Sequence, residues 1–198
     1  ITESKLWEYK KSGINRISFG LQSANDQELK SIGRIHNYAG FLESYNLARK
    51  YGFDNINVDL MSALPGQTLK SYEETLNKVV RLEPEHISAY SLIVEENTLM
   101  YDRVKKAHIK GINILPDEES ERKMYYLTNN ILRSNGYRKY EISNYSKPGK
   151  ECKHNIGYWQ RKEYLGFGIG AASLYKENRY NNISDINKYI EVLTDSAK

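Results

Sequence analysis

The sequence predicts an α/β fold in which parallel strands alternate with helices, followed by a smaller mixed region. Segments of strand-like composition and helical patterns take turns along the first half of the chain: residues 16–19, 38–50, 55–61, 71–82 and 86–92. The short links between these segments are typical of βαβ units with right-handed connections. The alternation ends near residue 95, where a polar stretch begins that runs to Pro116.

Capping residues mark the first helices. Thr2 precedes a helical pattern over residues 3–11 that Gly13 ends, and either Asn25 or Asp26 begins a second, short helix. The pattern over residues 38–50 predicts an amphipathic helix with three residues on its buried face: Phe41, Tyr45 and Ala48.

Beyond the polar stretch the sequence predicts one long helix and several short elements. The helix spans residues 117–135, and its acidic first turn suits the positive end of the helix dipole. Short strands at 139–142 and 164–175 precede a terminal helix at 184–193. This composition predicts an α+β region rather than a continuation of the parallel sheet.

Composition excludes several classes of protein. With 39% hydrophobic and 27% charged residues, the 198-residue chain has the balance of a globular protein, and it has no apolar run of the ~20 residues that a membrane span needs. The net charge of +4 is spread among 29 basic and 25 acidic residues, which argues against a nucleic-acid partner. The single cysteine predicts a reducing, cytoplasmic location. The polar start has no signal peptide and no initiating Met, so we expect a piece of a longer protein.

Three polar residues lie at or just after the ends of predicted strands and helices, which is where parallel sheets bind ligands. Gln22 follows the first strand, Arg34 follows the short helix, and Asp59 lies near the end of the second strand. Asp59 sits in an apolar stretch, where a carboxylate needs a partner. The pattern leaves two interpretations of Asp59, a ligand hydroxyl or a structural ion pair.

A cysteine, a histidine and two aromatic residues cluster within residues 152–159. Such a set suits a metal or a flat macrocycle, although the Cys-x-His spacing of Cys152 and His154 matches no zinc pattern. The alternative is a structural histidine that forms hydrogen bonds within a turn. Nearby, Gly166, Gly168 and Gly170 alternate with large apolar residues, which favours close backbone packing over a dinucleotide-binding loop.

Five segments, in this order and spacing, resemble one family. They are GINRISFGLQS at 13–23, GRIH at 33–36, NVDLM at 57–61, LPGQT at 64–68 and PEHIS at 84–88. The set is similar to radical S-adenosylmethionine proteins of the oxygen-independent coproporphyrinogen III oxidase type. YEISNY at 140–145 and HNxxYW at 154–159 are similar to the sister group of haem chaperones.

This resemblance implies a fold and a cofactor site. Residues 1–94 would be the rear half of a partial, TIM-like (β/α)6 barrel, and residues 95–198 the smaller C-terminal region. Gln22 and Asp59 would bind the ribose hydroxyls of S-adenosylmethionine, and Arg34 its carboxylate. The backbone near Ile93 would border the adenine. With the front of the barrel missing, the strand at 16–19 is expected to lie at a sheet edge.

The resemblance also implies a haem site and two departures from the family. His154 would ligate haem iron, with Tyr158 and Trp159 offering aromatic surface to the macrocycle. The CxxxCxxC motif that holds the family's [4Fe–4S] cluster does not occur in the sequence, so the isolated chain is predicted to be inactive. Ala172 stands where the family has a histidine.

Three functions follow from the resemblance. The first is a cytoplasmic haem-binding chaperone that delivers haem to an acceptor protein. The second is a coproporphyrinogen III oxidase, which decarboxylates a porphyrinogen oxidatively through a 5′-deoxyadenosyl radical. The third is a non-catalytic α/β scaffold.

Overall fold

The computed structural model describes residues 1–195, which form two compact units that divide after Glu151. The first contains five strands: β1 (Ile17–Gln22), β2 (Ile56–Ser62), β3 (His86–Ser91), β4 (Arg138–Lys139) and β5 (Asn144–Ser146). Its helices are α1 (Glu3–Lys11), α2 (Asp26–Ser31), α3 (Tyr38–Lys50), α4 (Leu69–Val80), α5 (Leu99–Ile109) and α6 (Glu118–Ser134). The second contains α7 (Lys153–Trp159), β6 (Ala172–Tyr175), β7 (Asn178–Asn181) and α8 (Ile186–Asp195).

The sheet of the first unit has the order β1-β2-β3-β5-β4. The pairs β1–β2 and β2–β3 are parallel, as predicted, while β5 runs antiparallel to both β3 and β4. Within residues 1–195, β1 has β2 as its only strand neighbour, which confirms the expected edge. The βα alternation ends at β3. The predicted boundary at residue 94 marks that point and stays a prediction, whereas the compact units divide after Glu151.

Alternation along the parallel strands separates an apolar face from a polar face. On β2, Ile56, Val58 and Leu60 are fully buried in the core, whereas Asn57 and Asp59 lie on the opposite face. The helices pack on the apolar face, where α4 and α6 meet through a hydrogen bond between the Tyr72 and Thr128 hydroxyls, 2.9 Å long. The polar side chains of β2 therefore lie on the face away from this packing.

Six of the described helices begin at a residue whose side-chain oxygen accepts a backbone N–H of the first turn, as was predicted for Thr2 and Asn25. These capping residues are Thr2, Asn25, Asn37, Thr68, Thr98 and Asp117. Three expectations were wrong. The polar stretch contains α5, none of whose residues is fully buried. The strand predicted over 139–142 is replaced by the two-residue β4 (Arg138–Lys139). The strand predicted over 164–175 is regular only in β6.

None of the described helices is both long enough and apolar enough to span a membrane.

Candidate functional site

The ends of β1 and β2 bring together the three polar residues that the sequence singled out. Asp59 lies directly beside Gly20 in the parallel pair. A Cβ atom added to Gly20 would lie 3.0 Å from Gln22 Nε2 and 4.0 Å from Arg34 Nη2. The missing side chain of Gly20 thus keeps a space open between the Gln22 amide and the Arg34 guanidinium, with the Asp59 carboxylate alongside.

Gln22 is held in an unusual backbone conformation. Its φ of 70° is rare for a residue other than glycine, and the register of β1 shifts between Gly20 and Gln22. Its side chain is 3% exposed, and Oε1 accepts a hydrogen bond of 3.2 Å from the Tyr90 hydroxyl. Strained conformations of this kind cluster at binding sites, where the surrounding structure holds them in place.

The Asp59 carboxylate is oriented by two neutral donors. Asn57 Nδ2 donates to Oδ1 over 2.6 Å, and the Ser18 hydroxyl donates to Oδ2 over 3.2 Å. None of the ion pairs within residues 1–195 includes Asp59, so the structural ion-pair interpretation has no support there. A carboxylate with remaining lone pairs is suited to accept hydrogen bonds from ligand hydroxyls.

Behind Asp59, a chain of buried hydrogen bonds fixes the orientation of Asn57. The Asn57 amide donates to Ser18 and Asp59, so its Oδ1 is the acceptor that faces His86 Nδ1 at 2.6 Å. His86 therefore carries its proton on Nδ1. Its Nε2, 2.7 Å from the Tyr140 hydroxyl, accepts a hydrogen bond from it.

The environment of His86 keeps the imidazole neutral. The ring is fully buried, and this burial together with the nearby positive charge of Arg16 lowers the pKa of His86 to about 4. A protonated ring could not accept the Tyr140 hydroxyl hydrogen bond. The neutral ring, by contrast, completes a continuous chain from Tyr140 to Asp59.

Tyr90 belongs to the same cluster, although sequence reasoning did not find it. Burial raises the pKa of the Tyr90 hydroxyl, as does the charge of Asp59, while the Gln22 hydrogen bond and the charge of Arg34 oppose the rise. The signal was present: His86, Ser88 and Tyr90 occupy alternate positions of β3, and so share a face with Asn57 and Asp59 of the adjacent β2.

Ile93 lies just beyond the end of β3, with 79% of its surface exposed. The preceding Leu92 N–H still donates to the Ser62 carbonyl over 2.9 Å, so the backbone is tied to β2 up to that point. Ile93 thus follows the same strand ends as Gln22 and Asp59.

In the second unit, the HNxxYW segment forms the short helix α7. His154 is exposed, and its ring stands edge-on to Tyr158 with centroids 4.6 Å apart. Within residues 1–195, the His154 side chain makes no hydrogen bond, so the interpretation as a histidine whose ring ties a turn together is not supported. Trp159 is 67% exposed. All three side chains are accessible to a ligand.

The residues present fit one implied cofactor and not the other. Gln22, Arg34 and Asp59 surround the space above Gly20 with the donors and acceptors that an amino-acid and ribose ligand needs. An iron–sulfur cluster takes several thiolates, and the chain has one cysteine. Among residues 1–195, no three His, Cys, Asp or Glu side chains are placed to hold a metal ion. The residues of this chain therefore do not fit a [4Fe–4S] cluster.

Comparison with protein families and curated proteins gives consistent results. The family model for the Radical SAM superfamily matches residues 1–79. The heme chaperone HemW of Bacillus subtilis is 40% identical over 197 residues, covering 100% of this chain and 51% of the relative. HemW of Escherichia coli is 37% identical over 171 residues, covering 86% and 43%. The chain thus spans about half the length of these curated relatives.

Comparison with solved structures finds a known structure with a similar fold. The structure of coproporphyrinogen III oxidase (HemN) from Escherichia coli, described as a radical SAM enzyme, matches with a TM-score of 0.81. The match covers 100% of this chain and 47% of that chain at 21% identity. The α/β prediction, with a partial barrel and a smaller C-terminal region, is confirmed at the level of the fold.

Proposed function

We propose that the chain is part of a radical S-adenosylmethionine protein of the group that includes the heme chaperones and coproporphyrinogen III oxidase, and that the whole protein is a haem-binding chaperone. The whole protein would bind S-adenosylmethionine in its barrel, bind haem in its C-terminal region and deliver the haem to an acceptor protein. The lone cysteine supports a reducing, cytoplasmic location.

The S-adenosylmethionine site would use the polar face at the ends of β1–β3. Asp59 and Gln22 would receive the ribose hydroxyls, because both side chains are already oriented by neutral neighbours. Arg34 has no side-chain partner within residues 1–195, so its guanidinium is free to bind the methionine carboxylate as a two-pronged donor. The backbone near Ile93 would border the adenine.

One observation carries the haem assignment: His154 presents an imidazole that is exposed, unbonded within residues 1–195 and backed by the ring of Tyr158. Imidazole is a common axial ligand of haem iron. Tyr158 and Trp159, exposed beside it, offer apolar surface to a porphyrin face. The names of the curated relatives favour the same ligand.

Haem titration followed by Soret absorbance tests the proposal. We expect the chain to bind haem with a shifted Soret band that His154→Ala loses and His108→Ala, a control at an exposed histidine of α5, retains. Far-UV circular dichroism of each variant confirms that the fold is intact. An unchanged spectrum in His154→Ala would remove the ligand assignment and favour the oxidase, which rests on the fold alone.

A further inference from the structure

The C-terminal unit contains a cleft of about 840 Å³, which is in the size range of small-molecule sites. Aromatic side chains provide most of its apolar wall: Tyr158, Trp159, Tyr164 and Phe167. The rings of Tyr158 and Tyr164 meet edge-on at 4.6 Å, so this part of the wall is packed. His154 does not line the cleft, but its ring contacts Tyr158, which does.

The backbone that carries Leu165 and Phe167 is firmly held. Tyr164 exchanges two hydrogen bonds with Leu174, of 2.9 and 3.0 Å. Asn182 Nδ2 donates to the carbonyls of Gly166 and Gly168 over 3.1 and 2.9 Å. A Cβ on Gly166 would lie 2.2 Å from the Ala172 carbonyl oxygen, so only glycine permits this close approach. Gly166 thus packs backbone against backbone, as predicted, whereas a Cβ on Gly168 or Gly170 would meet no neighbour within 4 Å and these two glycines instead adopt positive φ angles of 96° and 65°.

This arrangement directs large apolar side chains outward. Leu165, Phe167 and Ile169, which alternate with the glycines, are 57%, 86% and 50% exposed. Exposed apolar side chains next to a cleft mark a binding surface, and a backbone satisfied by its own hydrogen bonds holds that surface in place without a ligand.

Charged residues also line the cleft. Arg161 is paired with Glu177 over 2.6 Å, so much of its charge is already compensated. Arg179, on β7, lines the same cleft and has no side-chain partner within residues 1–195. One arginine is therefore free to bind an anionic group on a ligand whose body is apolar and flat.

We propose that this cleft binds the ring of a carboxylate-bearing tetrapyrrole, with Phe167 and Trp159 against the macrocycle and Arg179 bound to a carboxylate. The choice of ligand rests on the proposed function. Besides the proposed iron ligand His154, the cleft would offer an arginine for a carboxylate and an apolar wall for the macrocycle. Neither of these contacts needs an iron ion. Binding of a metal-free porphyrin therefore tests the cleft separately from ligation by His154.

Tryptophan fluorescence gives a local readout. The chain has two tryptophans, Trp7 and Trp159, so a Trp7→Phe background reports from the cleft alone. We expect protoporphyrin IX to quench Trp159, and Arg179→Ala to weaken this binding about 10- to 150-fold, the range for one charged hydrogen bond. Phe167→Ala should weaken it as well. Arg81→Ala, at an exposed arginine of the first unit, is the matched control and should bind normally.

The dimethyl ester of protoporphyrin IX provides the ligand-side control, because it keeps the macrocycle and loses both carboxylates. The unsubstituted cleft should bind the ester about as weakly as Arg179→Ala binds the diacid. Equal affinity for the two porphyrins, equal affinity of Arg179→Ala and its background, or no binding at all would each overturn the proposal. None of these outcomes affects the test of the proposed function, which depends on the Soret band of haem-loaded His154→Ala. A dimer that Phe167→Ala dissociates without affecting porphyrin binding would instead assign this face to a second copy of the chain.

Discussion

The polar face of β1–β3 and the cleft of the C-terminal unit are built in opposite ways. On the polar face, side chains are mostly buried and bonded to one another, as in the chain from Tyr140 through His86 and Asn57 to Asp59. In the cleft, the backbone is bonded and the apolar side chains Leu165 and Phe167 are left exposed.

This difference matches the two kinds of ligand that we propose. A polar ligand gains specificity only when donors and acceptors already point in fixed directions, since a misplaced buried polar group costs more than a hydrogen bond returns. An apolar, flat ligand gains affinity from surface removed from water, so its site must keep that surface exposed until the ligand arrives. The polar face thus supplies oriented hydrogen-bonding groups, and the cleft supplies apolar surface area.

The largest expected effect contrasts apolar residues from the two regions. Leu60→Ala empties a fully buried position and should lower the free energy of unfolding by about 2–5 kcal/mol. Phe167→Ala, at a position 86% exposed, should change the stability by less than about 0.5 kcal/mol. Chemical denaturation of both variants measures this. A large loss of stability in Phe167→Ala would show that the cleft wall is part of a core.

A pH effect should follow from the neutral His86. Because its pKa is about 4 in the folded chain and 6.5 ordinarily, the unfolded chain takes up the proton first as the pH falls. The stabilisation is complete above about pH 6.5 and is lost toward about pH 4, which amounts to about 2–3 kcal/mol between pH 7 and 4.5.

Substituting the histidine isolates this contribution from other titrating groups. Denaturation of the unsubstituted chain, His86→Gln and His108→Gln at both pH values provides the comparison. The pH dependence should be smaller in His86→Gln and unchanged in His108→Gln, whose site is exposed. If His86→Gln loses as much stability toward low pH as the unsubstituted chain, the buried ring does not carry the effect.

The smallest expected effect concerns ligand affinity on the polar face. Asp59→Ala should weaken S-adenosylmethionine binding about 10- to 150-fold, because it removes a charged acceptor worth about 1.5–3 kcal/mol. Asp54→Ala, at an exposed carboxylate just before β2, should bind as the unsubstituted chain does. Isothermal titration calorimetry measures both affinities. Equal affinities for Asp59→Ala and the unsubstituted chain would leave Asp59 as a structural residue of the hydrogen-bond chain.

Sequence patterns were sufficient for much of the fold. The helix starts at Thr2, Asn25 and Asp117 followed from local capping chemistry, and the parallel order of β1–β3 followed from the alternation of strands and helices. The proximity of Gln22, Arg34 and Asp59 could be predicted, because residues at the ends of parallel strands meet at one edge of the sheet. Helix α5 was missed because none of its residues is fully buried and its few half-buried apolar residues lie within a polar stretch.

What the sequence by itself determined was local: turns, caps, the strand–helix alternation and the close backbone packing of Gly166. Only the tertiary structure decided which distant side chains meet, such as Tyr140 with His86 and Tyr90 with Gln22, because strand register sets those contacts. Likewise, the sequence marked His154 and Trp159 as candidate haem-binding residues. Only the fold of the hairpin β6–β7 placed Arg179 in the cleft that Trp159 lines. Local patterns reflect interactions between near neighbours, whereas a binding site is formed by residues that only folding brings together.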